Sequence, residues 1–390
     1  MNVPRYDYAS QFGSHPEVLF ASIERMLLDG TYILSKEVAE FEEAFGRYLG
    51  IPYVCGVNSG TDALILALRS LDVGPGDEVI TQANTFYATV AAIRLVGATP
   101  VLVDADEESF LIDESEIPAV ITSRSRAIIV VHLYGKPTPM RGILEMAGRH
   151  NIAVIEDAAQ AHGARINNQA TGTFGDVGCF SFHPSKNLAA AGDAGAVVCK
   201  SSAMAERIRC LRELGQQGQN NHVMLGINSK LDALQARILS WKLPHLDVWN
   251  EKRRSIAAIY REYLSDLPVQ FQSVTPGEEH AYHLFQIRTS RSNELLEHLR
   301  QSRVDAVVRY PLPIHLQPAF SDCEWRPGQF PVAERLSREL LCLPIRPDIT
   351  IAEVDYVCRV VKEFFSNATW TTKISTSSEV SLRSRCVCPE

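Results

Sequence analysis

The sequence predicts an α/β fold with a smaller α+β domain towards its C-terminal end. Between residues 50 and 200, short apolar runs alternate with segments of helical period. This alternation is typical of a largely parallel sheet that is covered by helices on both faces. Helical periodicity dominates 201–265, and strands and helices mix over 280–365. We therefore expect a large domain over 1–245, a small α+β domain over 246–365 and a disordered or loosely attached tail over 366–390.

The predicted strands of the large domain are short and apolar, and helix-period segments separate most of them. In chain order they read YVCGV (53–57), EVITQ (78–82), PVLVD (100–104), AIIVVH (127–132), IAVIE (152–156), CFSF (179–182) and GAVVC (195–199). The clearest helices are GTDALILALRSL (60–71) and TFYATVAAIRLV (85–96), and GPGD at 74–77 is a typical break between helix and strand.

The second half of the chain is predicted to be richer in helix. Pro244 should interrupt the long helical run that ends near residue 265. Beyond it we expect two strands, YHLFQIRT (282–289) and VDAVVRY (304–310). The expected helices are NELLEHLRQS (293–302), AERLSRELL (333–341) and IAEVDYVCRVVKEFF (351–365).

Composition narrows the class of protein. Apolar residues make up 46% of the 390 residues and charged residues 22%, which is the balance of a globular enzyme. The net charge of -8 argues against a nucleic-acid partner, whose binding surface would be basic. The nine scattered cysteines follow no secretory signal, and no apolar run reaches membrane-spanning length. We expect a reduced, cytoplasmic protein with no membrane partner.

One lysine stands at an unusual place. Lys186 follows the run CFSF and a His-Pro break, and a loop of small residues leads from it into GAVVC. A lysine on the protein surface would have no reason to lie between two buried strands. Lys186 is therefore a candidate nucleophilic amine.

A second stretch brings a carboxylate to a strand end. In NIAVIEDAAQAHGA (151–164) an apolar strand delivers Glu156 and Asp157 to its C-terminal end, where open α/β sheets bind ligands. A helical turn would point Asp157 and Gln160 the same way. Taken alone, this stretch would favour Asp157 as a helix cap.

Together these residues suit pyridoxal phosphate. Its aldehyde reacts with a lysine, and a carboxylate keeps its pyridine nitrogen protonated. Its phosphate needs an anion site, and GTDAL (60–64) supplies a glycine turn followed by a helix N-terminus. Thr61 and Ser181 add hydroxyls, although GTDAL could also be an ordinary threonine cap.

Seven segments then occur in an order that resembles the DegT/DnrJ/EryC1/StrS family of pyridoxal-phosphate-dependent sugar aminotransferases. The resemblance covers residues 14–365. The segments are VNSGTDALILAL, ANTFYATVAAI, VHLYGKP, IEDAAQAHGA, FSFHPSKNL, GDAGAVV and INSKLDALQA. It implies fold type I with a mainly parallel seven-stranded sheet, and an obligate homodimer with shared active sites. It also implies a nucleotide-linked keto-sugar as substrate and L-glutamate or L-glutamine as amino donor.

The resemblance also implies individual roles. Lys186 would bind the cofactor aldehyde and shuttle protons, Asp157 would contact the pyridine nitrogen and Gln160 the ring hydroxyl. Phe86 would stack on the ring, and Asn228 would reach the phosphate from the partner subunit. The phosphate would be held by Gly60, Thr61, Asp62 and Ser181.

Substrate contacts are expected from four further residues. Tyr310 and His315 lie in RYPLPIHLQP, which matches a segment that lines the sugar site in relatives. His183 and Asn187 flank Lys186, and for His183 a packing role is an equal alternative. The Asp-x-Asp of VDADEE (103–108) could suggest a metal-dependent glycosyltransferase, but the resemblance implies no metal there.

Several functions remain open. A dehydratase of this fold would carry histidine in place of Lys186, and a cofactor- or sugar-sensing regulator would tend to lose that lysine. Among aminotransferases, the loop around Asp193 resembles that of family members that act at C3, which implies amination at C3 of a dTDP-3-keto-6-deoxyhexose. His183 points instead to C4 amination of a 4-keto-sugar, and scyllo-inosose is a third candidate substrate.

Overall fold

The computed structural model describes residues 1–13 and 15–366. Their α-helices are α1 Pro16–Asp29, α2 Lys36–Leu49, α3 Gly60–Ser70, α4 Tyr87–Leu95, α5 Ile117–Val120, α6 Met140–His150, α7 Ser202–Arg212, α8 Ala233–Lys242, α9 Leu246–Tyr263, α10 Ser292–Gln301, α11 Pro331–Glu339 and α12 Ile351–Ser366. Their strands are β1 Tyr53–Val57, β2 Glu78–Gln82, β3 Thr99–Val103, β4 Ser125–Val131, β5 Ala153–Asp157, β6 Arg165–Ile166, β7 Gln169–Ala170, β8 Val177–Ser181, β9 Gly195–Cys199, β10 Gln270–Phe271, β11 Glu278–Glu279, β12 Phe285–Arg288 and β13 Leu340–Leu343.

A seven-stranded sheet organises the first 200 residues, with the strand order β1-β9-β8-β5-β4-β2-β3. The strands from β8 to β3 run parallel, whereas β9 is antiparallel to both β8 and β1. The predicted mainly parallel sheet is thus confirmed. Because β5 and β8 are parallel neighbours, the residues that follow them meet at one edge of the sheet.

Helices cover both faces of this sheet, since alternate side chains of a strand point to opposite faces. On one face Cys179 and Val197 pack with α3, α4 and α7. On the other face Phe180 and Phe182 pack with α2 and α8. The ring of Phe182 meets the edge of Phe41 from α2, with 5.4 Å between ring centroids. This two-sided burial explains why the strands are short apolar runs rather than alternating ones.

The C-terminal part has its own sheet, β10-β12-β13, and its own core with α9, α10 and α12. Val3 belongs to that core as well. Its N–H donates to the carbonyl of Arg303 at 2.9 Å, and it forms a bridge with Val304. The N-terminal segment therefore packs on the C-terminal part, although we had grouped it with the large domain. The proposed boundary near residue 245 stays a prediction.

Three local predictions can be compared with the structure. The expected interruption at Pro244 is confirmed, because a short 3-10 helix over Leu243–His245 separates α8 from α9. The expected strand VDAVVRY is wrong, since Val304 and Val307 make only isolated bridges there. The expected helix AERLSRELL ends early because its two final leucines enter β13 and pair with β12.

None of the helices in the described part of the chain is both long and apolar enough to span a membrane. The prediction of a tail over 366–390 falls outside the described residues, apart from its first residue.

Candidate active site

A cavity of about 430 Å³ opens at the edge of the central sheet where β5 and β8 end. Its lining includes Asp157 from the end of β5, Ser181 from the end of β8, and Lys186 from the loop that follows. Asp157 ends one strand, whereas Ser181 and Lys186 end and follow another, and the parallel pairing of β5 and β8 brings them together. The cavity also takes in Thr61, Phe86, Gln160, His183 and Tyr310.

Asp157 is a buried carboxylate held in place by hydrogen bonds. Its Oδ2 accepts from Thr89 Oγ1 at 2.9 Å, and its Oδ1 accepts from the N–H of Ala159 at 3.2 Å. Burial raises the pKa of Asp157, whereas these bonds and the nearby charge of Lys186 lower it. No helix starts at Asp157 in the structure, since a turn follows β5. The alternative reading of Asp157 as a helix cap is therefore excluded.

Thr89 was not singled out from the sequence. It lies in α4, and its hydroxyl also shares a hydrogen bond of 3.0 Å with Thr85 Oγ1. Thr85 lines the cavity, so a chain of two hydroxyls leads from the cavity wall to Asp157. The helical i, i+4 spacing does not explain this pair, because Thr85 precedes Phe86, the extended N-cap residue of α4.

Lys186 lies in the turn after β8, with its N–H donating to the carbonyl of His183 at 2.8 Å. Burial lowers the pKa of its amine to about 8; Asp157 opposes this shift and Arg309 adds to it. A lysine with such a pKa carries a substantial neutral fraction near pH 7.5, in contrast to an ordinary lysine. The neutral amine is the nucleophilic form.

A potential anion-binding site lies on another wall of the cavity. It consists of Ser59, Gly60, Thr61 and Ser181 and is called the cradle below. Helix α3 begins at Gly60, and the residue before it, Ser59, caps the helix by accepting from the N–H of Asp62 at 3.1 Å. A Cβ on Gly60 would lie 2.5 Å from the Cβ of Ser181. The helix N-terminus and the end of β8 therefore touch in a way that only glycine permits. The alternative of a threonine cap at Thr61 is therefore wrong, because Ser59 is the residue that caps this helix.

This cradle fits a phosphate group. Ser59, Gly60, Thr61 and Ser181 all line the cavity, so N–H groups and hydroxyls converge beside a helix N-terminus. A Cβ on Gly195 would come within 2.4 Å of the Ser59 carbonyl, so the start of β9 closes on the same turn. Phosphate, lysine and carboxylate partners for pyridoxal phosphate thus lie within one cavity.

Asp62 was expected at the cofactor phosphate, but its hydrogen bonds lie elsewhere. Its N–H is already used by Ser59, so it is not free for a phosphate. Its Oδ2 accepts from Ser229 Oγ at 2.7 Å, and that hydroxyl accepts from the N–H of Asn58 at 3.1 Å. Asp62 thereby ties the start of α3 to the segment that contains Asn228. Asn228 itself is exposed and does not line the cavity of its own chain.

Gln160 and Tyr310 form a linked pair on the cavity wall. Gln160 Oε1 accepts from the N–H of Tyr134 at 2.7 Å, and its Nε2 donates to Tyr310 Oη at 3.0 Å. The second N–H of that amide stays available for a ligand. The ring of Tyr310 lies 5.3 Å from that of Phe86, which is half exposed at the cavity and can cover a planar ligand.

Two expected substrate contacts are not brought to the cavity. Asn187 is buried, and its Nδ2 donates to Asn250 Oδ1 at 2.9 Å and to the carbonyl of Ala281 at 2.8 Å. His315 is buried beside Glu334, with 2.9 Å between Nε2 and Oε1. Both side chains hold neighbouring segments together, so their proximity to Lys186 and Tyr310 in the sequence does not put them in the site.

Other cavity residues escaped the sequence analysis altogether. They are Tyr6, Tyr8, His283 and Arg309. Tyr6, Tyr8 and His283 come from segments outside the recognised motifs, whereas Arg309 is the first residue of RYPLPIHLQP and directly precedes Tyr310.

The acidic run at 103–108 has a structural role. Both oxygens of Asp104 accept hydrogen bonds at 2.8 Å from the N–H groups of Ala333 and Val332, at the start of α11. Across residues 1–13 and 15–366, the structure contains no cluster of three or more His, Cys, Asp or Glu side chains that could hold a metal ion.

Comparison with known proteins agrees with this geometry. Residues 16–362 match the model of the DegT/DnrJ/EryC1/StrS aminotransferase family. The chain is 40% identical to a pleiotropic regulatory protein of Geobacillus stearothermophilus, over 94% of this chain and 99% of that protein. It is 42% identical to the dTDP-3-amino-3,4,6-trideoxy-alpha-D-glucose transaminase of Streptomyces venezuelae, over 88% of this chain and 91% of that protein.

Solved structures agree as well. S. venezuelae DesV in complex with a ketimine intermediate superposes with a TM-score of 0.91 and 41% identity, covering 93% of this chain and 98% of that one. The ntda protein of Bacillus subtilis with bound cofactor PMP gives a TM-score of 0.87 and 30% identity, covering 94% of this chain and 85% of that one. The chain is therefore a member of the DegT/DnrJ/EryC1/StrS aminotransferase family and a sugar aminotransferase that depends on pyridoxal phosphate.

Proposed function

We propose that the protein transfers an amino group from L-glutamate, or L-glutamine, to C3 of a dTDP-3-keto-6-deoxyhexose in the biosynthesis of an amino sugar. The observation that carries this proposal is the single cavity that holds Lys186, Asp157 and the α3 cradle together. The position of amination rests on relatives, since the S. venezuelae transaminase is named for a 3-amino sugar. Asp193, on which the C3 prediction relied, lines the same cavity.

The roles of the residues follow from their surroundings. Bound pyridoxal phosphate supplies an aldehyde and a ring that accepts electrons from a substrate carbon. We assign the phosphate to the N–H groups of α3 and the hydroxyls of Thr61 and Ser181. Asp157 holds a proton on the pyridine nitrogen, helped by the Thr89 bond, which favours its ionised form. Phe86 covers the ring and keeps water from that face.

Lys186 is proposed to move the protons. Its pKa of about 8 would let Nζ accept a proton from the α-carbon of the amino donor in the first half-reaction and deliver a proton to the reacting carbon of the sugar in the second. Gln160 keeps one amide N–H free for the ring hydroxyl of the cofactor, while its other contacts fix the position of that amide.

The assembly we propose is a homodimer with shared sites. Asn228 is exposed beside Ser229, which Asp62 fixes to the start of α3. The segment before it exposes apolar side chains, with Leu225 86% exposed and Val223 49% exposed. Burial of these two side chains against a second subunit would remove them from water. From that interface Asn228 would reach the phosphate cradle of the second subunit.

A cytoplasmic location is part of the proposal. All seven cysteines in the described residues are free thiols, and most are buried. Free thiols are what a reducing compartment maintains.

Incubation with L-glutamate and a dTDP-3-keto-6-deoxyhexose or the corresponding 4-keto sugar tests the substrate. Identification of a 3-amino product by NMR is the expected result. A product from the 4-keto sugar alone would reject C3 amination and would agree with His183, which lines the cavity and was the residue that favoured C4. Turnover of scyllo-inosose alone would assign the protein to aminocyclitols.

A further inference from the structure

Lys242, the last residue of α8, is a buried lysine that the proposed chemistry does not use. Its side chain is 2% exposed, and its Nζ donates to Gln11 Oε1 and to the carbonyl of Ala189, both at 2.9 Å. Nζ also lies 4.7 Å from the centre of the Phe12 ring, so the cation faces the π-electrons of that ring. All three of these neighbours are uncharged groups.

A buried ammonium without a counter-charge is costly to maintain. Burial lowers the pKa of Lys242 to about 8, and no carboxylate among residues 1–13 and 15–366 opposes that shift. The amine is still mostly protonated at pH 7. An uncharged side chain of similar size could fill the same space without the desolvation of a charge. The charge therefore points to a need for the three N–H donors of an ammonium group.

One partner of Lys242 belongs to the loop after Lys186. Ala189 follows that lysine by three residues, and two residues further on the N–H of Ala191 donates to Gln235 Oε1 at 2.8 Å. Gln235 and Lys242 are seven residues apart on α8, so they lie on one face of the helix. This face of α8 therefore holds the loop at two points, and Lys242 supplies one of them.

The other partners belong to the N-terminal segment, which comprises residues 3–12. The start of this segment is fixed to the C-terminal part of the chain, where Arg5 Nε lies 3.0 Å from Asp305 Oδ1. The end of the segment is fixed to α8, because both Gln11 and Phe12 contact Lys242. The N-terminal segment is thus attached at its two ends to different parts of the protein.

The middle of the N-terminal segment forms a wall of the active-site cavity. Tyr6 and Tyr8 both line the cavity, and their rings stack with 5.8 Å between centroids and 12° between planes. Tyr6 is half-buried and Tyr8 is 51% exposed, so this wall has little packing of its own. Its place at the cavity therefore depends on the attachments at either end.

We propose that Lys242 is a positioning residue of the active site: by joining the end of the N-terminal segment to the loop after Lys186, it keeps the Tyr6–Tyr8 wall in place. Lys242 does not line the cavity, so it acts through the groups that it joins. Because Gln235 also holds the loop, the loss of Lys242 falls mainly on the N-terminal segment. Binding of the sugar should therefore weaken while binding of the cofactor is retained. The part that concerns the sugar rests on the proposed function.

Hydrogen exchange of the holoenzyme, followed by mass spectrometry, tests the attachment. Lys242→Met keeps a long apolar side chain and removes the ammonium. We expect the peptide with residues 6–12 to exchange about 10-fold faster or more, the effect of losing a hydrogen bond to a charged group. Lys252→Met removes an exposed lysine from α9 and is the matched control, for which we expect no change. Exchange of this peptide at the wild-type rate in Lys242→Met overturns the proposal.

Steady-state kinetics with the keto-sugar tests the positioning. In Lys242→Met we expect KM for the sugar to rise by about 10-fold, with kcat and the affinity for pyridoxal phosphate within about 2-fold of wild type. A variant with Tyr6→Leu and Tyr8→Leu should show a similar rise. Addition of Lys242→Met to that variant should raise KM no further, because all three changes act through one wall.

Three kinetic outcomes also overturn the proposal. They are faster exchange with an unchanged KM, losses that add in the triple variant, and a fall in cofactor affinity as large as the rise in KM. If Lys242→Met does not fold, Gln11→Leu removes the same hydrogen bond from the side of the N-terminal segment and takes its place in both experiments. The proposed function is judged separately: wild type that aminates no keto-sugar refutes it, whereas hydrogen exchange decides on the attachment in either case.

Discussion

Thr89 donates a hydrogen bond of 2.9 Å from its hydroxyl to Oδ2 of Asp157. The bond joins helix α4 to the end of strand β5 inside the core of the large domain. Because Asp157 is buried, this bond is one of few interactions that favour its charged form. The electronic role proposed for Asp157 therefore depends on a threonine that does not line the cavity.

Thr89→Val should keep the shape of the side chain and lose the hydroxyl. We expect the pKa of Asp157 to rise further, so that the acid limb of the pH profile of kcat/KM moves to higher pH. Activity at neutral pH should fall by about 10-fold, the effect of one hydrogen bond to a charged group. Thr89→Ser keeps the hydroxyl, so it should retain both the wild-type activity and the wild-type pH profile. A profile that is the same in all three proteins would show that the bond has no electrostatic role.

Gly60→Ala tests the contact between α3 and β8. The added Cβ would lie 2.5 Å from the Cβ of Ser181, so the cradle must open. Relief of such a steric overlap typically costs about 1–3 kcal/mol, and we expect cofactor affinity to fall by roughly 10- to 100-fold. A titration with pyridoxal phosphate that follows its absorbance measures this affinity.

Gly148→Ala is the control for that substitution. A Cβ at this position in α6 meets nothing within 4 Å, and alanine favours helix. This variant should bind cofactor like wild type and be slightly more stable. Equal cofactor affinity in Gly60→Ala and Gly148→Ala would contradict the cradle.

The sequence predicted the sheet side of the site well and the C-terminal side poorly. Asp157, Ser181 and Lys186 end or follow neighbouring parallel strands, so strand recognition alone places them at one edge. His283 reaches the cavity only through the packing of the C-terminal part, which no local pattern encodes. Asn187 shows a related difficulty. Its position next to Lys186 in the sequence does not determine which way its side chain points.

The same limit explains the misread strand. VDAVVRY has the apolar content of a strand, but its segment meets Val3 and Cys342 in single bridges rather than a ladder. Whether an apolar run forms a strand depends on whether a neighbouring strand is free to pair with it. That depends on the tertiary structure and not on the local sequence.

The rate at which cofactor-free protein captures pyridoxal phosphate should depend on pH through Lys186. Its pKa is about 8, below the ordinary value near 10.5, so the neutral amine predominates from about pH 8 upwards. We expect the rate to rise from pH 6.5 and to level off above about pH 8.5. Stopped-flow absorbance measures it. A rate that still climbs at pH 10 would show that burial does not lower the pKa of this amine.

Mixed dimers test whether Asn228 reaches the second subunit. Asn228→Ala should weaken cofactor retention, and Lys186→Ala should abolish turnover. A dimer with one chain of each kind would then have one site that carries both changes and one that carries neither. We expect mixing to restore sites of wild-type cofactor affinity and activity. Mixed dimers that form without any restored site would show that Asn228 serves its own chain.

The central claim is that Lys186 is the lysine that binds the cofactor, and reduction of the holoenzyme with borohydride tests it most directly. Lys242 provides an internal comparison, because burial also lowers its pKa to about 8. It lies outside the cavity, where its Nζ donates to Gln11 Oε1 and to the carbonyl of Ala189, both at 2.9 Å. We predict that peptide mapping finds the reduced cofactor on the peptide with Lys186 alone. Label on Lys242 or another lysine, or no label with cofactor in excess, would contradict the account.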